Sequence, residues 1–156
     1  MSSRNYLFVY GTLRLKDSLL NSPELKAGTS FEGKAKIRAV LFDIGHYPGA
    51  IQDKSGSEVI GSLYEVNQPE KMFRILDRYE NIVEGQEANG EYIRLKTRAW
   101  LPSGKSRMAW VYLYNRDPGS KPRIRHKDYL NYLIWRRKKL EKLGSMVEKP
   151  FASSKD

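Results

Sequence analysis

Apolar and polar residues alternate with a period of two along several stretches of the chain, which is typical of β-strands. Residues 5–10 form a short apolar and aromatic run that ends at Gly11 and indicates a buried strand. Residues 35–41 place apolar side chains at every second position, between Lys and Arg, as a half-buried strand does. Residues 59–66 predict a further strand.

A β-hairpin is predicted near the middle of the chain, where strands at 92–101 and 106–114 flank the turn residues 102–104. The second strand is apolar on both faces. One face carries Met108, Trp110, Tyr112 and Tyr114, and the other carries Ala109, Val111 and Leu113. Such a strand is expected at the centre of a sheet or in the wall of a barrel.

The hydrophobic period changes to that of a helix at two places. The first is marked by Met72, Ile75, Leu76 and Tyr79. Their spacing predicts a helix with Asn67 as its cap and Pro69 in its first turn, ending near Glu80. Residues 81–91 have no period and indicate a loop.

The second helix is predicted at about residues 126–143, with an end near Gly144. We expect it to lie on the body of the protein through Tyr129, Leu130, Leu133 and Leu140. Residues 12–22 predict a loop or a short helix, and residues 45–49 and 53–57 predict loops.

Helices do not alternate with strands, which argues against a doubly wound parallel sheet. We therefore predict an α+β fold, a small, closed or nearly closed, mainly antiparallel β-barrel with flanking helices. The length of 156 residues suits one domain. We place that domain at residues 1–145 and expect a flexible tail at residues 146–156.

The composition excludes several kinds of site. The chain has no cysteine, so disulfides, thiolate metal sites and a cysteine nucleophile are excluded, and its two histidines exclude a His-rich metal site. No apolar run approaches the roughly 18 residues of a membrane-spanning helix. The N-terminus lacks the layout of a signal peptide, so we expect a cytoplasmic protein with no membrane partner.

Positive charge is concentrated near the C-terminus. The chain carries 28 basic and 18 acidic residues, a net charge of +10. Residues 121–149 hold 10 of the basic and 3 of the acidic residues, or +7, which leaves +3 for the rest of the chain. Such a segment indicates either the solvated face of a docked helix or a surface for an anionic partner such as nucleic acid.

The first candidate site is the loop Tyr10-Gly11-Thr12-Leu13-Arg14, which follows the first strand. At a strand end, consecutive backbone N–H groups lose their ladder partners, and a glycine lets a ligand approach the backbone closely. Exposed N–H groups of this kind can cradle a carboxylate. An ordinary turn at a strand end is the structural alternative.

The second candidate is Glu80, at the end of the first predicted helix. The helix dipole and burial against Leu76 and Tyr79 both disfavour its charge, which raises its pKa toward the range of a general base. Asp77 is the alternative working carboxylate, and an exposed, inert Glu80 is the structural alternative.

The third candidate is the pair Tyr92 and Arg94, which lie two residues apart on a strand and therefore on one face. An aromatic wall beside a guanidinium suits a carboxylate ligand. A salt bridge made by Arg94 on the strand is the structural alternative.

In their order and spacing, these segments resemble the gamma-glutamylcyclotransferase-like superfamily. The matching segments are Tyr10-Gly11-Thr12-Leu13-Arg14, Tyr47-Pro48-Gly49-Ala50, Gly61-Ser62-Leu63-Tyr64-Glu65-Val66, Leu76-Asp77-Arg78-Tyr79-Glu80, Tyr92-Ile93-Arg94 and Val111-Tyr112-Leu113-Tyr114. The sequence is most similar to the short branch of AIG2-like proteins and gamma-glutamylamine cyclotransferases. It has Tyr-Gly-Thr where the larger members directed at glutathione and peptides often have Tyr-Gly-Ser-Asn.

The resemblance implies a barrel with a cavity at one end. It implies that the loop after the first strand binds the substrate, that Glu80 accepts a proton, and that Tyr112, or alternatively Tyr114, lies at the cavity. With Arg94 added from the strand argument, the predicted site residues are Glu80 as catalytic base and Tyr10, Gly11, Thr12, Leu13, Arg94 and Tyr112 for substrate binding.

The implied reaction cyclises the glutamyl part of a γ-glutamyl amine or related amide to 5-oxoproline and releases the free amine. Loop N–H groups would hold the α-carboxylate while Glu80 takes a proton from the α-ammonium. The freed amine would attack the γ-carbonyl within the same molecule. No metal, nucleotide or other cofactor is required.

Two other functions are compatible with these residues. A non-catalytic member of the same fold would keep the cavity as a small-molecule-binding module. A nucleic-acid-binding protein would act through residues 121–149, and its binding to polyanions would fall steeply with salt. The presence of Glu80 favours the enzyme.

Overall fold

The structure is a computed structural model that describes the backbone of residues 3–152 and the side chains of residues 3–144. In chain order its elements are β1 (Asn5–Val9), α1 (Pro23–Gly28), β2 (Thr29–Asp43), β3 (Pro48–Gln52), β4 (Glu58–Val66), α2 (Pro69–Tyr79), β5 (Tyr92–Trp100), β6 (Ser106–Tyr114), β7 (Arg123–Ile124) and α3 (Tyr129–Ala152). Short 3-10 turns lie at Thr12–Arg14, Leu19–Asn21 and Glu87–Asn89.

Five strands close into a barrel in the order β2-β4-β1-β6-β5, and β5 returns to β2 through the pair Lys36 and Trp100. The neighbours β1 and β6 are parallel at Leu7 and Trp110, and the other neighbours are antiparallel. Strands β3 and β7 pair with the second half of β2. The predicted closed, mainly antiparallel barrel with flanking helices is confirmed.

The alternation along β1 sorts its side chains between two cores. Tyr6, Phe8 and Tyr10 belong to the core inside the barrel, whereas Leu7 and Val9 belong to the core between the barrel and helices α1 and α2. Burial of each large apolar side chain contributes about 1.5–3 kcal/mol. Because a slip of one residue would exchange the two faces, this double burial fixes the register of β1.

Helix α2 confirms the predicted helical period, but it corrects the start of the helix and one residue of its predicted apolar face, since Tyr79 is 49% exposed. Met72, Phe73 and Leu76 are buried against the barrel. The residue before the helix is Gln68, in a left-handed conformation with φ of 51°, and no side chain caps the helix. Asn67 is not the cap, because its N–H bonds to the carbonyl of Gly28 at 2.8 Å and holds it in the preceding segment.

Several elements were not predicted. Strand β2 is 15 residues long, and β3 lies partly in the predicted loop of residues 45–49. Pro48 and Gly49 are typical of turns, yet they pair with Asp43 and Phe42 of β2. Gly49 is required there, because an added Cβ would lie 2.8 Å from the ring of Tyr114.

Helix α3 begins three residues later than predicted and continues through Gly144 to Ala152. The predicted stop is wrong, since Gly144 is not among the glycines with positive φ that end helices. Residues 153–156 of the predicted tail lie outside the described residues. None of the described helices is long and apolar enough to cross a membrane.

Among the side chains of α3 that the structure describes, those in the first turns are anchored. Tyr129 is 2% exposed and, with Tyr132, belongs to the core inside the barrel. The expected anchoring of Leu140 is wrong, because that side chain is 58% exposed. Arg136 is held by Asp43 at 3.1 Å, beside the hydroxyl of Tyr132 that donates to the same carboxylate oxygen at 2.6 Å.

Candidate active site

A cavity of about 230 Å³ opens where β1 ends. The residues that line it are Phe8, Val9, Tyr10, Gly11, Thr12, Leu13, Tyr47, Pro48, Tyr79, Glu80, Asn81, Glu91, Tyr92 and Tyr112. Six of the seven predicted site residues are among them, and Arg94 is not. The volume suits a molecule smaller than a drug-sized ligand. Within the part of the chain that the structure describes, no cluster of three His, Asp or Glu side chains could hold a metal ion.

The loop after β1 lines the cavity with residues 10–13. Its 3-10 turn is closed by the N–H of Arg14, which donates to the carbonyl of Gly11 at 3.1 Å, and by the N–H of Leu15, which donates to Thr12 at 3.0 Å. The N–H groups of Thr12 and Leu13 therefore have no acceptor within the turn. An anionic group in the cavity can take up these donors.

Gly11 lets this loop approach the start of β3. An added Cβ would lie 2.9 Å from Cγ of Pro48, closer than side-chain contacts normally come. The φ of Gly11 is −116°, so a positive φ does not explain the glycine, whereas the close approach to Pro48 does. This contact with Pro48 is a different requirement from the predicted approach of a ligand to the backbone, which stays a prediction.

Two buried tyrosine hydroxyls brace the strands around the cavity. The hydroxyl of Tyr10 donates to the carbonyl of Tyr112 at 2.6 Å and accepts from the N–H of Ala50 at 3.1 Å. The hydroxyl of Tyr92 donates to the carbonyl of Pro48 at 2.6 Å. Burial raises the pKa of both hydroxyls, which keeps them neutral donors. They hold β1, β3, β5 and β6 together at this end of the barrel.

Glu80 follows the last residue of α2, and its N–H bonds to the carbonyl of Leu76 at 3.0 Å. Burial, aided by the negative charges of Glu91 and Asp77, raises the pKa of Glu80 to about 7. The sequence also indicated burial as a cause of the raised pKa of Glu80, but it did not predict the contribution of Glu91. A carboxyl with this pKa can both accept and return a proton near neutral pH.

Asp77 and Arg94 are engaged with each other beside the cavity. Nε and Nη2 of Arg94 donate to the two carboxylate oxygens of Asp77 at 2.8 and 3.1 Å. The guanidinium lies 4.5 Å from the ring centroids of both Phe73 and Trp110. Arg94 does not line the cavity, and its Nε and Nη2 and both faces of its guanidinium are engaged outside it, which argues against the predicted role in substrate binding.

Asp77 also accepts a hydrogen bond from the hydroxyl of Tyr112 at 2.7 Å. Neither Asp77 nor Arg94 lines the cavity, but Tyr112 does, so this tyrosine links the ion pair to the site. Asp77 is thus a weaker candidate than Glu80 for the working carboxylate, since three donor atoms already hold it.

The model of the family "Gamma-glutamyl cyclotransferase, AIG2-like" matches residues 7–131. The chain belongs to this family. Among its curated relatives is the gamma-L-glutamyl-butirosin B gamma-glutamyl cyclotransferase of Niallia circulans. It is 30% identical over 146 residues, which cover 92% of this chain and 83% of the relative.

Solved structures share the family fold. The crystal structure of an AIG2-like protein from Mus musculus has a TM-score of 0.62 at 24% identity, covering 82% of this chain and 89% of the mouse chain. The solution structure of an Escherichia coli protein has a TM-score of 0.57 at 26% identity, covering 81% and 97% of the two chains.

The structure distinguishes Tyr112 from Tyr114, the two residues that the sequence offered for a position at the cavity. Tyr112 lines the cavity, whereas Tyr114 packs edge-on against Tyr92, with ring centroids 5.7 Å apart, and lies over Gly49. The cavity position therefore belongs to Tyr112.

Sequence reasoning missed two residues at the opening of the cavity. Glu91 directly precedes β5, and both its carboxylate oxygens lie 3.0 Å from the hydroxyl of Tyr47. Tyr47 stands in a segment that matched the family, but Glu91 lies in a loop noted only as polar. Tyr47 and Glu91 are 44 positions apart, and no sequence pattern predicts their contact, which only the fold shows.

Proposed function

We propose that this protein is an active cyclotransferase that converts the glutamyl part of a γ-glutamyl amine or related amide to 5-oxoproline. The observation that carries the proposal is the position of Glu80. Its carboxyl, with a pKa of about 7, lines the same cavity as the loop of residues 10–13. The candidate acid–base group and the candidate anion-binding loop thus line one small cavity.

The loop would hold the α-carboxylate of the substrate. The N–H groups of Thr12 and Leu13 have no acceptor within the turn and would be its donors, and no Lys or Arg is among the residues that line the cavity. Binding would therefore rely on backbone dipoles, which can stabilise an anion without a cationic side chain. A substrate held in this way would direct its α-ammonium toward Glu80.

Glu80 would take one proton from the α-ammonium, and the neutral nitrogen would attack the γ-carbonyl carbon to close a five-membered ring. The bond between that carbon and the amide nitrogen then breaks. Over the whole reaction two protons pass from the α-nitrogen to the departing nitrogen, which leaves a lactam N–H and an ammonium. Because the two reacting groups belong to one chain, the cavity has only to hold it curled.

The tyrosines around the cavity would contribute by holding its walls in place. Tyr112 is fixed by Asp77, and Tyr10 and Tyr92 fix the strands, so the walls are rigid where the ring closes. Burial raises the pKa of Tyr112, so its phenol stays protonated near neutral pH. We assign it to the shaping of the cavity.

A screen of γ-glutamyl compounds for 5-oxoproline release tests the proposal. The panel should include γ-glutamyl amino acids, γ-glutamyl alkylamines, γ-glutamyl diamines and the γ-glutamyl amide of the lysine side chain. We expect 5-oxoproline and free amine in equal amounts from at least one of them. The Glu84→Gln variant, changed at an exposed carboxylate of the following loop, should behave as the unchanged protein does.

Calorimetry on the same panel identifies the alternative. A protein that binds γ-glutamyl compounds but releases 5-oxoproline from none of them would be a non-catalytic binding module. A protein that neither binds nor converts any of them would contradict the proposed function altogether.

A further inference from the structure

We propose that Glu91 selects substrates whose departing amine carries a second, positively charged group. The inference rests on the proposed cyclotransferase function and adds the chemical class of the leaving amine. A γ-glutamyl diamine or polyamine is the simplest member of this class. Four observations lead to it, concerning charge, depth, anchoring and neighbouring cations.

The cavity has the opposite charge character to the protein. The chain as a whole carries 28 Lys and Arg against 18 Asp and Glu. Yet the residues that line the cavity include two carboxylates, Glu80 and Glu91, and no Lys, Arg or His. A basic protein with an acidic cavity favours ligands with positive charge at that place.

Burial defines the direction of the cavity. Phe8, Val9 and Tyr10 at its inner end are almost fully buried, whereas Tyr47 is 37% and Tyr79 is 49% exposed at its opening. The proposed reaction places the glutamyl part beside the loop after β1 and Glu80. The substituent on the departing nitrogen must then extend toward the opening.

Glu91 stands at that opening and is held in place. Its two carboxylate oxygens are both 3.0 Å from the hydroxyl of the half-exposed Tyr47. None of the ion pairs found among the described residues uses Glu91. Its charge also raises the pKa of Glu80, so it acts on the same space as the catalytic group.

One cation lies in the neighbourhood without neutralising this carboxylate. Arg116 is exposed and does not line the cavity, and its charge tends to lower the pKa of Tyr47. The net effect of burial and Glu91 is still to raise the pKa of Tyr47. Among the residues that line the cavity there is no cation that would neutralise Glu91.

Three γ-glutamyl amides of nearly equal length test the inference. Their leaving amines are 1,4-diaminobutane, which ends in an ammonium, pentylamine, which ends in a methyl group, and 4-aminobutanoate, which ends in a carboxylate. We expect kcat/KM to be about fivefold higher for the cationic than for the neutral amide, the size of a partly exposed ion pair. The anionic amide should be the poorest.

The variant Glu91→Gln should bring the three values within about twofold of one another, since it removes the charge and keeps the shape. Glu84→Gln, an exposed change on the same loop, should keep the original order. Glu91→Gln also alters Glu80, but that effect is common to all three amides and cancels in their ratios. Equal values for the unchanged protein, or an order preserved in Glu91→Gln, would overturn the inference.

Calorimetric titration of Glu80→Gln with the same three amides separates this inference from the proposed function. The order of affinity, cationic above neutral above anionic, needs no turnover. If the order is found but no 5-oxoproline forms in any assay, the selection by Glu91 stands and the cyclotransferase proposal falls. If the three bind equally, or none binds, the selection by Glu91 is refuted.

Discussion

Arg14 and Asp128 form an ion pair of 2.7 Å that joins the loop after β1 to the start of α3. Both side chains are only 10% exposed. Asp128 also accepts the N–H of Leu130 at 2.9 Å, and Nε of Arg14 reaches Oγ of Ser62 at 3.3 Å. The last helix therefore fixes the loop that forms one wall of the cavity.

Removal of Arg14 would leave the carboxylate of Asp128 buried without its cation. We expect Arg14→Met to lower the free energy of unfolding by about 3 kcal/mol, measured by urea denaturation. The loop would lose an anchor, so KM should rise as well. The double variant Arg14→Met with Asp128→Asn should be less destabilised than the sum of the single changes, and strict additivity would contradict the pairing.

Gly11 offers a second test of the loop. A methyl group at this position would press on Pro48, so Gly11→Ala should shift the loop and lower kcat/KM by about tenfold or more, since the rate depends steeply on substrate placement. The matched control is Gly144→Ala, where an added Cβ meets nothing within 4 Å. Unchanged kinetics in Gly11→Ala would show that the loop does not need this close approach.

The pKa of Glu80 predicts how the rate depends on pH. Because burial and neighbouring charges raise that pKa from 4.5 to about 7, Glu80 is protonated, and inactive as a base, below that pH. We expect kcat/KM to increase as pH rises through about 7. In Glu91→Gln the rise should move to lower pH, because one of the charges that raises the pKa is gone. If kcat/KM of Glu91→Gln increased at the same pH as that of the unchanged protein, the charge of Glu91 would have no influence on the pKa of Glu80.

The two ends of α3 should differ in their contribution to stability. Tyr129 is 2% exposed inside the barrel, so Tyr129→Ala should reduce the free energy of unfolding by about 3 kcal/mol or more. Leu140 is 58% exposed, and Leu140→Ala should change the free energy of unfolding by less than about 0.5 kcal/mol.

Deletion of residues 121–149 tests the nucleic-acid alternative. Loss of salt-sensitive RNA or DNA binding on this deletion, at unchanged stability, would support that alternative.

The sequence predicted those features that depend on local pattern. The alternation in β1 and β6 and the helical period of α2 follow from side-chain burial, which repeats along the element itself. Gly11 and Glu80 could be selected because a strand end and a helix end each have their own chemistry. Their convergence on one cavity was implied by family resemblance.

What the sequence could not predict depends on contacts between distant segments. Pro48 looks like a turn residue until β2 pairs with it, and Arg94 looks like a carboxylate binder until α2 brings Asp77 to it. No local pattern marks Glu91, because its contact with Tyr47 joins segments that are distant in the sequence. The exposure of Leu140 likewise depends on where the barrel surface ends beneath α3.

The central claim is that Glu80 moves the proton in ring closure, and the kcat for 5-oxoproline release in Glu80→Gln tests it most directly. The amide keeps the size of the side chain and its hydrogen bonds but has no basic oxygen to accept the proton. On the best substrate of the screen, we predict a kcat at least about 10²-fold lower than that of the unchanged protein, with ligand affinity within a few-fold. A kcat within about threefold of the unchanged protein would contradict the account and assign the proton transfer to another group.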